Sequence, residues 1–398
     1  MGSKNFQYLD ELIHSSAKEI VLDSDIVLGS DEESKYNDGI KLDVDDLTID
    51  GNGHVIDAKE GQCRLKNHAK NITFRNICFK NFKSEFLISN RSGDLIFENC
   101  RFIHNQGAIH NYFGNIWIKN CCFYRNYLSR SSTGFSVCIY NAKDSNAFVC
   151  DSRFYQNDVN YPHYGLILND GLIEVKNSIF QENKGEDCEI CVIFNRNGEL
   201  VVDNCKFKDN KNVYCSYDFA ELIVSILNEA GKVCLSNSIF ENENRILGSI
   251  KNMGILHIRD CKFEDSLIKN SQWYSGVSRP DELDSSPFLE IENSSFRNKY
   301  DEGVIANSGL CRIGSCNIDG KSYLANDDVL FIDEKEFKLL KDNIINSGDI
   351  VFDFDVDVPI YESFKCHGKS KGSNSDDVSD CDKDKGDDDY SPLGALFG

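Results

Sequence analysis

The stretch IEVKNSIFQEN, residues 173–183, reads apolar-x-apolar-x-Asn-Ser-x-Phe-x-x-Asn. Two alternating apolar positions make a short strand with one buried face, and the Asn-Ser pair behind them is the chemistry of a bend. Outward from this stretch the pattern returns as ITFRNICFKNF (72–82), LIFENCRFIHN (95–105), IWIKNCCFYRN (116–126), FVCDSRFYQND (148–158), LVVDNCKFKDN (200–210), VCLSNSIFENE (233–243), LHIRDCKFEDS (256–266) and LEIENSSFRNK (289–299). Its aromatic column is Phe79, Phe102, Phe123, Phe154, Phe180, Phe207, Phe240, Phe263 and Phe296, with a worn tenth copy at Ile318. The steps run 23, 21, 31, 26, 27, 33, 23, 33 and 22 residues. Self-similarity at such a period is the mark of a solenoid with one coil per repeat.

Ahead of most copies stands a second alternating strand that closes in an Asn-rich or Gly-rich turn: FLISNRSG, AIHNYFG, CIYNAKDS, LILNDG, VIFNRNG, SILNEAG, SIKNMG and VIANSG. Each coil therefore carries at least two strands joined by a tight corner. A residue type recurring once per coil meets its own kind about 4.8 Å above and below. The Phe column predicts an internal aromatic stack. The Asn column (Asn76, Asn99, Asn120, Asp151, Asn177, Asn204, Asn237, Asp260, Asn293) predicts a side-chain hydrogen-bond ladder at the bend. The Ser/Cys column (Cys100, Cys121, Ser152, Ser178, Cys205, Ser238, Cys261, Ser294) asks for small buriable groups. The fold class is all-β, a right-handed single-stranded parallel β-helix of about ten or more coils with a helical N-terminal cap.

A solenoid exposes sheet edges at both ends, so covers are expected there. Residues 5–17 place Phe6, Leu9, Leu12, Ile13 and Ala17 on one helical face, and strand-like IVLDSDIVL follows. The segment EFKLLKDNIINSGDIVFDFDV repeats that scheme as Phe337, Leu340, Ile344, Ile350 and Val351. The predicted organisation is an N-terminal helix and strand cap over 1–46, a β-helix over 47–320, a degenerate copy of the cap over 321–368, and an acidic tail over 369–398 that cannot bury a core. The tail ends in SPLGALFG.

The net charge is −22, which excludes a nucleic-acid backbone as partner because phosphates demand a basic face. Residues 1–60 hold 15 acids against 5 bases and residues 374–390 hold 8 against 2, so the acidity belongs to the ends. No apolar run is long enough to span a bilayer, and the start MGSKNFQYLDELIHSS lacks an apolar signal core. Seventeen cysteines, an odd number in a long chain without an export signal, read as reduced thiols in a cytoplasmic monomer.

The coil motif together with LTIDGNGHVIDA resembles the right-handed β-helix repeat proteins called adhesin-like in archaeal methanogens, over about residues 5–318. The strands GAIHN (107–111) and VCIYN (137–141) are worn versions of that family's Gly-Gly-Ala-Ile-Tyr-Asn strand. The resemblance implies a binding or scaffold role, with carbohydrate or another protein as partner. Polygalacturonases and pectate lyases share the fold, so an enzyme must be sought in residues. Asn-Thr-Asp, Gly-His-Gly and Arg-Ile-Lys motifs are absent, Asp45 and Asp46 precede the first full coil, and Lys119 and Asn120 stand where a pectate lyase's Trp-Ile-Asp-His has its acid and imidazole. No catalytic residue, cofactor or metal site is assigned. A polysaccharide lyase or hydrolase with an unfamiliar site is the alternative.

Other candidates have plain structural readings. Cys188 and Cys191, a lone Cys-x-x-Cys that offers half a zinc site or a redox pair, read as small residues at a loop-to-strand junction, Cys366, His367 and Cys381 flank the tail, and the acidic tail lacks calcium-loop order. His54 reads as a turn residue. The longest coils insert residues near 127–136, 158–165, 211–221 and 265–287, holding Tyr127, Tyr161, Tyr164, Tyr214, Tyr217, Trp273 and Tyr274. If these project from one side they build an aromatic groove for sugar or peptide.

Overall fold

A coil opens with a five-residue strand such as Leu172–Lys176, whose side chains alternate between half-exposed and buried. Asn177 then takes a left-handed φ of 51°, turning the chain into the strand Ile179–Gln181. Glu182 bends it again at φ 53°, and after Lys184–Gly185 and Ile193–Asn195 the chain returns as Glu199–Asp203, parallel to its start. In that return Ile173 meets Leu200 and Val175 meets Val202, so one register repeats every coil. Side-by-side parallel strands need crossover connections, and these run right-handed. The computed structural model describes residues 2–129, 136–160, 165–186, 192–212, 224–241, 248–271, 286–299, 303–319 and 322–352.

Repetition gives a 14-stranded sheet 1, a 12-stranded sheet 2, a 13-stranded sheet 3 and a four-stranded sheet 4, met in the order 1, 2, 4, 3 along a coil that carries all four. The left-handed bend between sheets 1 and 2 falls on the predicted Asn column, from Asn76 at φ 57° to Asn293 at φ 49°. Asn and Asp tolerate that region better than other non-glycine residues, which is why the column is so uniform. Its side chains do form a ladder: Asn99 Nδ2 donates to Asn76 at 3.2 Å, Asn120 to Asn99 at 2.8 Å and Asn204 to Asn177 at 2.9 Å.

Inside, the Phe column from Phe79 to Phe296 stacks with ring centroids 4.5–5.3 Å apart and planes within 19°. Each ring is essentially sealed from solvent. Burial of a Phe is worth about 1.5–3 kcal/mol, with about 0.5–1.5 more for each stacked pair. The Ser/Cys column lies beside it. Ser152 and Ser238 accept the Cys121 and Cys205 amides at 3.1 and 3.0 Å, and burial pushes the Cys205 and Cys261 thiols up to about 12. These cysteines are free and inert. Cys122, on the strand Cys122–Tyr124, is instead disulfide-bonded, contrary to the expectation of wholly reduced thiols.

The largest regular feature is a second Asn ladder, at the end of sheet 3. From Asn67 through Asn90, Asn111, Asn141, Asn169, Asn195, Asn228, Asn252, Asn270, Asn307 and Asn326 to Asn346, each Nδ2 donates to the next coil's Oδ1 at 2.7–3.0 Å. Glycines let this column pack: a Cβ on Gly198 would sit 2.4 Å from Asn169 Nδ2, and one on Gly231 2.3 Å from Asn195 Nδ2.

Among the described residues stacking runs from Glu19–Val21 to Asp349–Val351, so segments read as caps contribute strands to the sheets. Helix α1 (Phe6–Ile13) is capped by Asn5, whose side chain accepts the Tyr8 amide at 3.1 Å, and buries Phe6, Leu9 and Ile13 on the first coil. Buried Glu32 reaches back to accept the Phe6, Gln7 and Gly29 amides, a carboxylate on the positive end of the helix. Ala17 lies beyond the helix and exposed, because the helix stops before Ser15 and Ser16.

Candidate functional site

Corners between sheets 3 and 1 are built alike: an inward Asn, one outward residue, then a tight turn. The outward residues run His68, Arg91, Tyr112, Ala142, Asp170, Arg196, Glu229 and Met253. Over the first coils this corner borders a pocket of about 320 Å³ lined by Lys41, Asp43, Lys66, His68 and Arg91. Lys41 and Lys66 are direct partners on adjacent strands of sheet 3. Like charges so placed repel, and a strand pair tolerates them at a cost of a few tenths to about 1 kcal/mol. Lys66 Nζ relieves part of this by donating to Asp38 Oδ1 at 2.8 Å, a contact that holds the Asp38 carboxyl below its ordinary range.

The pocket continues into an aromatic tier. The Arg64 guanidinium lies 4.9 Å over the Phe86 ring, and Arg91 lies 5.4 Å over Tyr112. His110 packs 4.9 Å from Phe86, and its Nδ1 is 3.2 Å from Tyr112 Oη. Burial drives the His110 imidazole down to about 3, so the ring is neutral at physiological pH. Tyr140 stands edge-on to both His110 and Tyr112, and its hydroxyl donates to Asp170 Oδ2 at 3.4 Å. Arg196 clamps the same carboxylate through two nitrogens. Burial raises both tyrosine hydroxyls, keeping them protonated donors.

Around the corner on sheet 1 the rings come into solvent. Phe113 is 65% exposed and Trp117 42% exposed, and Trp117 lies flat on Phe148 at 4.1 Å with planes 15° apart. Ile96 precedes Trp117 in the same outward column. Further along that column the chemistry changes to charge. His257 Nδ1 is 2.8 Å from Glu290 Oε2, and Arg312 Nη1 donates to Glu290 Oε1 at 3.2 Å. The imidazole beside it holds the Glu290 carboxyl below its ordinary range.

Of the sequence-predicted aromatic groove, Tyr127 lies on the first strand of sheet 4, 49% exposed, with its hydroxyl accepting from Asn160 Nδ2 at 3.0 Å. Tyr161, Tyr164, Tyr214, Tyr217, Trp273 and Tyr274 lie outside the described residues, as do Cys188, Cys191, Cys366, His367 and Cys381. The described aromatic surface is elsewhere, at the corner of sheets 3 and 1. A signal for it was present: Trp117 and Phe148 occupy the outward x of apolar-x-apolar, where Thr73, Glu174 and Glu290 stand in other coils. His54 is a turn residue with a carboxylate, since Asp25 Oδ1 sits 3.1 Å from its Nδ1 and accepts the Val55 amide at 3.0 Å. Asp45 and Asp46 are turn ties to the Lys70 amide and Asn71 Nδ2. Among the described residues no group of three or more His, Cys, Asp or Glu is arranged to hold a metal ion, and no helix is long and apolar enough to cross a membrane.

Residues 65–225 match the family described as the right handed beta helix region. No curated protein matches the chain. Solved structures similar to it include a mannuronic acid specific polysaccharide family 6 lyase from human gut microbiota, at 10% identity over 88% of this chain and 91% of that one, with a TM-score of 0.38. Another is a family 6 alginate lyase complexed with a trisaccharide, at 12% identity over 82% and 85%, also with a TM-score of 0.38. The repeated register and the parallel sheets, with the family match over residues 65–225, give the chain a right-handed parallel β-helix fold.

Proposed function

We propose that this protein binds a glycan bearing an acidic group across the corner of sheets 3 and 1, without cleaving it. The observation that carries the reading is Trp117, 42% exposed and stacked flat on Phe148, beside the yet more exposed Phe113. A ring left 42% open to water keeps apolar surface that its stack on Phe148 does not cover, and exposed apolar patches on a rigid sheet mark binding sites. The apolar faces of pyranose rings match it, and preorganised stacking keeps the entropy cost of binding low. From one to three coils away, Arg91, Lys66 and Lys41, in a pocket that also holds Asp43, offer positive charge to a carboxylate or sulfate further along the same glycan.

An array of neutral and acidic oligosaccharides, probed with wild type and with Lys66→Ala and Arg91→Ala, tests this. Acidic glycans should bind wild type best. Each charge variant should lose several-fold on acidic ligands only, and increasingly little as salt is raised. Equal loss on neutral and acidic glycans would remove the pocket from the account, and no glycan binding at all would end it.

A second reading, glycan cleavage, is favoured by the His257 imidazole held by Glu290 on the same sheet face. Incubation with whichever glycan binds, followed by assay for new chain ends, separates the two. The binding account expects none, and chain ends that vanish in His257→Ala would replace it with catalysis.

A further inference from the structure

The outward column of sheet 1 sets Cys234, His257, Glu290 and Arg312 on consecutive strands, each the direct partner of the one before. Alternation along the strands puts all four on the outer face, opposite the buried Val233, Leu256, Leu289 and Cys311. Glu290 is held by Arg312, and its depressed carboxyl is ionised, able only to accept. Such a partner fixes the proton of the His257 ring on Nδ1, 2.8 Å away, and in the neutral ring leaves Nε2 as the base on the edge turned from Glu290. The Phe288 ring, edge-on at 5.8 Å, packs against the same imidazole. Cys234 occupies the strand on the side of His257 away from Glu290, about 4.8 Å along the sheet. It carries a reduced thiol and is 7% exposed, where Cys100, Cys121, Cys205 and Cys261 of the inner column are at most 3% exposed.

We propose that Cys234 is a nucleophile with His257 as its base and Glu290 positioning that base, and that this site takes acyl groups from carboxylic esters. A nucleophile, a neighbouring base and a third group that orients the base are the parts this chemistry needs. In the first step the sulfur bonds to the ester carbonyl carbon, the thiol proton passes through His257 Nε2 to the leaving oxygen, and the carbon–oxygen bond breaks to release the alcohol. Water then adds to the thioester carbon and yields a proton to Nε2, which returns it to the departing sulfur. The products are the carboxylic acid and the starting thiol. Lys232, two residues before Cys234 on the same face, offers positive charge to the carbonyl oxygen as it turns negative. The site lies four strands along sheet 1 from Trp117, so it is tested apart from glycan binding at the corner.

The test incubates the full chain with p-nitrophenyl acetate at pH 7, quenches in acid, and follows acetyl on each cysteine peptide by mass spectrometry. Cys150 is the internal control, an outward cysteine of the same sheet whose strand partners are Lys119 and Lys176 in place of a histidine. Acetyl should appear on Cys234 at least tenfold faster than on Cys150, and His257→Ala should slow Cys234 at least tenfold. Glu290→Gln, which can still accept from Nδ1, should keep more of the rate than Glu290→Ala. Should His257→Ala lose β-sheet circular dichroism, His257→Gln takes its place with the same expected loss. A Cys234 rate no greater than that of Cys150, or one unchanged by loss of the imidazole, would overturn the proposal, and equal losses in the two Glu290 variants would overturn the role given to that carboxylate.

Discussion

On a single strand of sheet 1, Ile116 and Ile118 face inward and are sealed, while Trp117 between them faces outward and is 42% exposed. The inward positions stay apolar from coil to coil, though their size ranges from Phe74 and Phe97 to Ala147 and Cys311. The outward column runs Thr73, Ile96, Trp117, Phe148, Glu174, Val201, Cys234, His257, Glu290 and Arg312. Inside, every residue must fit the copy of itself about 4.8 Å away, so stacking enforces uniformity. Outside no such constraint acts. A cluster of rings there, where other coils carry Thr, Glu or Arg, needs a reason other than the fold.

Substitution should separate the two faces. Phe207→Ala, in the middle of the stack, should cost about 3–5 kcal/mol and be read in denaturant unfolding as a lowered midpoint. His110 should show its burial through pH. Its folded value of about 3 lies below the unfolded value of 6.5, so the unfolded chain binds the extra proton as pH falls. Stability is therefore intact above 6.5 and declines from there toward pH 3, by an amount on the order of 4 kcal/mol if no local opening intervenes. His110→Gln should flatten that decline in unfolding curves recorded across the range. Asn195→Ala breaks one rung of a buried ladder and should destabilise by about 1–3 kcal/mol. On the outer face, Glu290→Gln removes a carboxyl whose folded value is depressed. Its contribution is present above the unfolded value of 4.5 and lost as pH falls through the folded one. The variant should lose under about 1 kcal/mol near neutrality and nothing in acid, where wild type and variant converge.

The interior was legible in the sequence because stacking turns local chemistry into a column that alignment of one chain against itself reveals. The Phe stack and the left-handed Asn bend follow from residues that few alternatives could replace. The longer ladder from Asn67 to Asn346 was visible only as a turn signal, since its depth depends on how each corner folds inward. The outer surface was harder. An x position says that a residue points out, but which outward residues of different coils lie near a corner depends on strand register and turn length. Nothing local in the sequence thus sets Tyr112 and Phe113 apart as corner rings, whereas the length of the inserted loops singles out their tyrosines. Closure was legible at the N-terminal end, where Phe6, Leu9 and Ile13 share a helical face; Glu32, which ties that helix down from 26 residues away, carried no local signal.

Calorimetric titration of wild type and Trp117→Ala with the acidic oligosaccharide that binds best, alongside their thermal unfolding, tests the glycan-binding claim most directly. The account predicts affinity at least tenfold weaker in the variant, about 1.4 kcal/mol, while stability falls by no more than about 0.5–1.5 kcal/mol, the worth of its stack on Phe148, and the fold stays intact at the titration temperature. Equal affinities, or a loss of binding that merely tracks a loss of stability, would contradict it.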